Sequence, residues 1–295
     1  MDDRTIIAVA VSLLKRGGLV AIPTETVYGL AADALNEEAV RRIFEIKKRP
    51  FRDPLIVHVS SPKHAKELAH WNDHAEKLSQ AYWPGPLTLI LHKKPHVPDI
   101  VTGGHPTVAL RCPQHLLVRE LLESSNLAIA APSANPFGYI SPTSAQHVRD
   151  SLGDAIDMIL DGGDCEYGLE SSIVDISSGD HVKLLRPGPL SWEELCVQIK
   201  ENPAIKPFSY ANTEGESTRP IAPGMLLRHY SPHTPLVLCQ FEEMQRKRLS
   251  SVPDSRVAWL YLSKPADCAA NQSSPSNVYW GSETADLYSS DLELF

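Results

Sequence analysis

The sequence predicts an α/β fold with a mixed sheet for the larger part of this chain. Three observations carry that expectation. Strand-like and helical patterns interleave over residues 1–200, and some of the strands follow one another closely. At residue 201 the texture changes to proline-punctuated chain with little periodicity. The expected division is a domain over 1–200, a linker over 201–235 and a small α/β unit over 236–295.

Residues 3–16 read as an amphipathic helix, opened by acidic residues and closed by Lys15-Arg16-Gly17-Gly18, which suits the helix dipole and a glycine stop. Leu19–Pro23 reads as a buried strand that runs into the polar turn Thr24–Gly29. Asn36-Glu37-Glu38 caps a second helix, which ends in the basic cluster Lys47-Lys48-Arg49-Pro50. Strand-like runs follow at 55–59, 87–92, 107–111, 127–131, 158–161, 172–176 and 182–185. Helical patterns fall between several of them, around 62–82, 114–124, 143–152 and 191–200. Pro203, Pro207, Pro220, Pro223, Pro232 and Pro235 punctuate the linker. Beyond it, 236–239, a helix near 241–250 and 257–262 suggest the small unit, followed by a Ser/Asn/Pro-rich tail from Lys264.

Composition narrows the function classes. Hydrophobic residues at 42% and charged residues at 22% are ordinary for a soluble globular protein. A formal net charge of −8 argues against sequence-blind nucleic-acid binding over the whole surface, while leaving room for a local basic groove. Five scattered cysteines without a CxxC pair fit buried thiols in a reducing compartment better than a disulfide framework or zinc site. Met1-Asp2-Asp3 lacks the basic flank of a signal peptide, and Ile6–Leu14 is too short to span a bilayer, so a cytoplasmic protein is expected.

The common phosphate cradles and triad motifs are missing. No Gly-Lys pair occurs, which excludes a P-loop, and GxGxxG, GxSxG and HExxH are absent as well. His70 and His74 have i, i+4 spacing, but two surface histidines on a polar helix account for them better than a metal.

What stands out is a set of polar clusters at the ends of apolar strands, where α/β proteins tend to place ligands. They are Pro23-Thr24-Glu25-Thr26-Val27-Tyr28-Gly29-Leu30, Lys47-Lys48-Arg49-Pro50 with Asp53-Pro54-Leu55-Ile56-Val57-His58, and the turn Trp83-Pro84-Gly85-Pro86-Leu87-Thr88. Thr107-Val108-Ala109-Leu110-Arg111 puts Thr107, Ala109 and Arg111 on one face of a strand. Ala131-Pro132-Ser133-Ala134-Asn135, Ser141-Pro142-Thr143, Gly168-Leu169-Glu170-Ser171-Ser172 and Leu185-Arg186-Pro187-Gly188 complete the set. Singly each has a plain structural reading. Lys48 and Arg52 suit solvated dipole partners at a helix end, Arg111 a surface ion pair, and His58 a satisfied core histidine.

Together and in this order, the clusters closely resemble the YrdC/Sua5 family of threonylcarbamoyl-AMP synthases, over nearly all of residues 5–235. Ala222-Pro223-Gly224-Met225 and His229-Tyr230-Ser231-Pro232 resemble the linker of the longer Sua5 branch. The resemblance implies a YrdC-like twisted mixed-sheet domain with helices. It also implies use of L-threonine, bicarbonate and ATP with Mg²⁺ to form threonylcarbamoyl-adenylate for a downstream tRNA threonylcarbamoyl transferase.

By the same resemblance, Lys47 and Arg49 hold the triphosphate and are the catalytic candidates. Asp53, Thr107, Ser133, Asn135, Ser141 and Arg186 complete the nucleotide site, and Tyr230 reaches back from the linker to cover it. Thr26, His58, Arg111, the Ala131 backbone and Ser171 line the threonine pocket, with Arg111 gripping the carboxylate. Two features depart from the pattern. Position 53 is Asp where Asn is expected, and a carboxylate there repels triphosphate unless Mg²⁺ or Arg52 compensates. The C-terminal unit is also shorter than the family's, which usually continues into a further helical segment. Three rival readings stand beside the synthase. One is an RNA-binding module using Lys47, Lys48, Arg49 and Arg52, with at most weak tRNA binding expected. The others are carbamoyl transfer in hydrogenase maturation and a relative that has kept the pocket without the reaction.

Overall fold

A computed structural model describes residues 3–178, 182–199 and 220–223, together with the backbone of 259–261 and 278–280. The chain divides into two compact units, Met1–Ser231 and Pro232–Phe295.

In the larger unit, helix α1 (Asp3–Lys15) leads into a strand β1 (Val20–Ile22) and its antiparallel neighbour β2 (Gly29–Asp33). Helix α2 (Glu37–Lys47) is capped by the Asn36 side chain, which accepts from Ala39 N, and it stops where Lys48 turns left-handed at φ 52°. Strand β3 (Ile56–His58) precedes two helices, α3 (Pro62–Leu68) and α4 (Asp73–Tyr82), and strand β4 (Leu87–His92). Then come α5 (Asp99–Thr102), β5 (Thr107–Arg111), α6 (Leu116–Ser125) and β6 (Ile129–Ala130). The unit's remaining elements are α7 (Ala145–Leu152), β7 (Met158–Ile159), β8 (Ser172–Asp175), β9 (Lys183–Arg186) and α8 (Trp192–Ile199).

The nine strands form one mixed sheet in the order β7-β1-β2-β6-β3-β5-β4-β8-β9. β3 runs parallel to β5 with His58 opposite Arg111, and antiparallel β4 sets Thr88 opposite Arg111 on the other side. Alternation along the strands divides the buried side chains between two faces. Val57, Leu89, Leu110 and Val174 join the main core with Ile43 and Phe44 of α2, Leu78 of α4 and Leu195 of α8. On the opposite face, Ile7, Ala10 and Leu14 of α1 and Leu121 and Leu122 of α6 pack on Val20, Ile22, Ala31 and Ile129.

The described helices of that second face pack on the β1-β2-β6 side. Over β3, β5, β4, β8 and β9 the same face carries a small buried apolar cluster of Ile56, Ile90, Ala109, Ile173 and Leu185, and the described residue that packs on it is Ala222. The residues 220–223, which the sequence placed in a connecting linker, therefore lie on the sheet, with Ala222 fully buried.

Several expectations are corrected. The pattern over 62–82 is two helices, because Asn72 caps a fresh start by accepting from Ala75 N, while Ala69 bridges to Lys93. His70 thus sits between helices and does not share a helical face with His74. Gly29–Asp33 is a strand, where the sequence suggests a turn ending at Gly29 and no element over 30–33. Its small side chains lack β propensity, and mid-sheet burial overrides that. In the smaller unit, β10 (Trp259–Tyr261) pairs in parallel with β11 (Val278–Trp280), a strand within the stretch read as polar tail. The expected elements at 236–239 and 241–250, and Tyr230, lie outside the described residues.

Candidate active site

Where no described helix packs on the sheet's second face, strand ends and connecting loops enclose a cleft of about 470 Å³, its open mouth included. One side is built on the β1–β2 turn. Thr24 Oγ1 accepts from the backbone N–H groups of Thr26 and Val27, both at 3.2 Å, which folds the turn tightly and points Thr26 and Glu25 inward. Arg111, at the end of β5, donates to Glu25 Oε1 at 2.7 Å and to Thr26 Oγ1 at 2.9 Å. Its Nε faces the carbonyl of Gly85 at 3.4 Å, so the Trp83–Thr88 turn also holds it.

Glu25 is buried and uses both oxygens, the second accepting from Gln114 N at 3.0 Å. Burial pushes its pKa up, but the charge and hydrogen bonds of Arg111 outweigh this and hold the carboxyl below its ordinary range. His58 lies in the same wall, and its Nδ1 has no hydrogen-bond partner among the described residues. Burial, with the Arg111 charge adding to it, lowers its pKa to about 3, so the ring is neutral at physiological pH.

The other side carries a second guanidinium held in the same manner. Arg186, ending β9, donates to the Ser171 carbonyl and to Ser171 Oγ, both at 3.0 Å, and pairs with Glu170. Ser171 Oγ also bonds Thr88 Oγ1 at 2.7 Å. Glu170 accepts in addition from Ser141 Oγ at 3.1 Å. Ser133 and Arg49 line the wall between the two sides, and Arg49 donates to the Pro54 carbonyl at 2.8 Å with Phe137 beneath its guanidinium.

Arg49 Nη2 lies 3.0 Å from Asp53 Oδ2, yet neither Asp53 oxygen has a properly directed hydrogen bond among the described residues. Burial raises the Asp53 pKa, Arg49 opposing it and Glu170 adding to it. Lys47 is buried, with Nζ donating to the carbonyls of Ser133 and Asn135. Burial first, and then the Arg49 charge, bring its pKa down to about 7.

The Sua5/YciO/YrdC profile, described as "Telomere recombination", matches residues 12–188, more than half of the chain. The chain belongs to the Sua5/YciO/YrdC family. A second profile, described as "Threonylcarbamoyl-AMP synthase, C-terminal domain", matches 193–295. The chain is 45% identical to a threonylcarbamoyl-AMP synthase of Pyrococcus abyssi over 79% of its own length and 68% of that protein's. For the enzymes so named from Bacillus subtilis and Schizosaccharomyces pombe the identities are 43% and 40%, covering 66% and 60% of those proteins. The chain thus spans about two thirds of the length of these three relatives. A crystal structure of Pyrococcus abyssi Sua5 complexed with L-threonine is similar at 36% identity and a TM-score of 0.79, covering 98% of this chain and 84% of that one. Escherichia coli YciO, at 21% identity and a TM-score of 0.60, shares the fold.

Against the family expectation, the cleft gathers Thr26, His58, Arg111, Ala131 and Ser171 with Arg49, Ser133 and Arg186. Lys47, Asp53, Asn135 and Ser141 stand behind or beside that lining. Lys47 and Asn135 brace the 133–139 loop, the latter through its Nδ2 on the carbonyls of Pro136 and Tyr139. Thr107 shares the face of Arg111 but pairs with His92 at the opposite end of β5, away from the cleft lining. Two pairings are corrected. Asp53 faces Arg49, not Arg52, which is exposed, and Arg111 pairs with a buried carboxylate, not a surface one. The basic cluster likewise divides, Lys47 and Arg49 being buried while Lys48 and Arg52 face solvent.

The sequence reading missed Glu25, Glu170 and Pro223, all of which bear on the cleft. A signal for the first two was present, since each glutamate directly precedes a predicted pocket residue, Thr26 or Ser171. Pro223 stands out in the sequence only as part of the Ala222–Met225 block, and its place at the cleft depends on Ala222 finding the sheet.

Proposed function

We propose that this chain is an L-threonylcarbamoyladenylate synthase, a nucleotidyltransferase that makes threonylcarbamoyl-AMP and pyrophosphate from L-threonine, bicarbonate and ATP. The observation that carries the reading is the pairing, in one cleft, of an Arg111–Thr26–His58 wall with an Arg186–Ser133–Arg49 wall. Such a cleft suits a zwitterionic amino acid on one side and phosphates on the other.

The chemistry asks little covalent work of the protein. Bicarbonate loses hydroxide, which leaves with a proton as water, and the resulting CO₂ is taken up by the threonine amine, which sheds a proton to give a carbamate. A carbamate oxygen then attacks the α-phosphorus, and the bond to pyrophosphate breaks. None of the described cysteines lines the cleft. The residues supply positioning and fixed positive charge where phosphate charge shifts. On this reading Arg111 binds the threonine carboxylate through N–H groups that Glu25 and Thr26 leave unused, and neutral His58 offers Nδ1 to the substrate's polar groups.

Mg²⁺ enters on the nucleotide. No group of three or more His, Cys, Asp or Glu side chains forms a metal site among the described residues, and the Asp53 oxygens are the carboxylate with coordination to spare. One protein carboxylate plus phosphates and waters fits the ion's habits. Bound there, the ion would offset the charge between the Asp53 carboxylate and the triphosphate.

No described helix is long and apolar enough to cross a membrane. We place the protein in the cytoplasm, handing its labile product to a tRNA threonylcarbamoyl transferase. Of the four cations of the RNA-binding reading, two are buried at the cleft, which favours the synthase. The experiment is pyrophosphate release from ATP with bicarbonate and Mg²⁺, comparing L-threonine, L-serine and no amino acid. Threonine-dependent release that Arg111→Ala abolishes supports the reading; release indifferent to amino acid and to Arg111→Ala contradicts it.

A further inference from the structure

Two glutamates pair with the arginines of the cleft, and they differ in exposure, 3% for the Glu25 side chain and 11% for that of Glu170. Glu25 is buried on all sides, and its two oxygens serve Arg111 and the Gln114 amide. It is a fixed part of the wall. Glu170 stands where buried Ser171 gives way to the exposed stretch 166–169, and its side chain borders the cleft. Its two oxygens serve Arg186 and the Ser141 hydroxyl.

Arg186 does not depend on that glutamate for its orientation. The Ser171 carbonyl and hydroxyl take two of its nitrogens, leaving Nη1 for Glu170. The backbone at 170–172 is fixed as well, because Gly188 packs against it so closely that a Cβ there would collide with the Ser172 nitrogen and the Glu170 carbonyl. Movement of the Glu170 side chain would thus leave the two bonds from Arg186 to Ser171, and the chain beneath them, in place.

We propose that Glu170 is a placeholder anion, occupying Arg186 and Ser141 until a phosphate group of the nucleotide displaces it. The proposal rests on the nucleotide reading of this side of the cleft. A carboxylate bonded at once to a guanidinium and a hydroxyl presents to them the same acceptor geometry as two phosphate oxygens. Its presence spares the buried Arg186 charge from standing uncompensated, which is costly. Entry of phosphate exchanges one anion for another, so the glutamate weakens net nucleotide affinity and favours release of pyrophosphate after the reaction. This inverts the usual expectation for a polar residue in a binding site, because removing the carboxylate's charge should tighten binding.

The test is calorimetric titration of the full chain with MgATP, inorganic tripolyphosphate and adenosine, for the wild type, Glu170→Gln and Glu170→Asp, with thermal midpoints recorded to confirm folding. Glu170→Gln keeps the shape and an acceptor for Arg186 while removing the charge. Glu170→Asp keeps the charge and shortens its reach. The expected result is tighter binding of MgATP and tripolyphosphate by about tenfold in Glu170→Gln, a smaller gain in Glu170→Asp, and unchanged adenosine binding. Equal affinities across the variants overturn the placeholder while leaving the nucleotide site standing. Weaker MgATP binding by folded Glu170→Gln also overturns it, and makes Glu170 a ligand to the nucleotide or its cation. If the wild type binds adenosine, MgATP and tripolyphosphate not at all, the nucleotide reading fails and the placeholder with it.

Discussion

Glu25 Oε1 lies 2.7 Å from Arg111 Nη2, although 86 positions separate the two residues in the chain. The pair joins the β1–β2 turn to the end of β5 and so fixes the cleft-lining guanidinium from behind. Breaking a buried ion pair at one partner leaves the other uncompensated, at a cost of about 3–5 kcal/mol. Glu25→Ala should lower stability by an amount of that order and raise the KM for threonine more than that for ATP, as steady-state kinetics and denaturant unfolding will read. A folded Glu25→Ala with an unaltered threonine KM would deny the residue its positioning role.

The same pair sets a pH dependence. The Glu25 pKa is lower in the folded protein than its ordinary 4.5, so the unfolded chain binds the extra proton first as pH falls. The stabilisation is present above pH 4.5 and is lost as pH drops through the folded value. The stability gap between wild type and Glu25→Gln should therefore narrow in acid; a gap constant from neutral pH to acid would contradict this.

His58 should not titrate near neutrality. With the folded value near 3 against 6.5 unfolded, it contributes a stability that rises with pH across that window and is level above it. Imidazole ¹⁵N shifts should show a neutral ring from pH 8 down to about 5. A midpoint close to 6.5 would mean that the ring is solvated and lies outside the buried wall.

Lys47 is expected to leave its mark on the alkaline side. Its ammonium is disfavoured in the folded state, where the value is about 7 against 10.5, so stability should rise with pH between those two values. Lys47→Met should abolish that rise. It should also weaken nucleotide binding by releasing the Ser133 and Asn135 carbonyls that Lys47 ties together. A Lys47→Met protein with the wild-type slope would place the titration elsewhere.

Much of this arrangement is legible in the sequence because it rests on local signals. Asn36 before Glu37-Glu38 announces α2, and Thr107, Ala109 and Arg111 alternate with buried Val108 and Leu110 as a half-buried strand must. What escaped is set by distant chain. Gly29–Asp33 is a strand because β1 and β6 flank it, and Asn72 splits one helical pattern into two. Glu25 and Glu170 become meaningful only when Arg111 and Arg186 arrive from 86 and 16 residues away. The cleft's polar residues were found in sequence as clusters; which of them touch each other was not, since pairing depends on sheet order.

Ala222 supplies another test. It is fully buried against Ile56, Ile90, Ala109, Ile173 and Leu185, and neighbouring Pro223 lines the cleft. Ala222→Asp would set a charge on that apolar patch and detach the segment, since an unpaired buried charge is not tolerated. The KM for both substrates should rise by about tenfold or more with little change in unfolding midpoint. Unchanged KM values would mean that the segment is dispensable to the cleft.

The most direct measurement is the fate of labelled carbon. The full chain should be incubated with [¹⁴C]bicarbonate, L-threonine and MgATP, and the products separated. The account predicts label in a threonine- and ATP-dependent adenylate, released in step with pyrophosphate and lost in Arg111→Ala and Arg186→Ala. Folded protein that binds ATP and threonine yet transfers no label into an adenylate would contradict it.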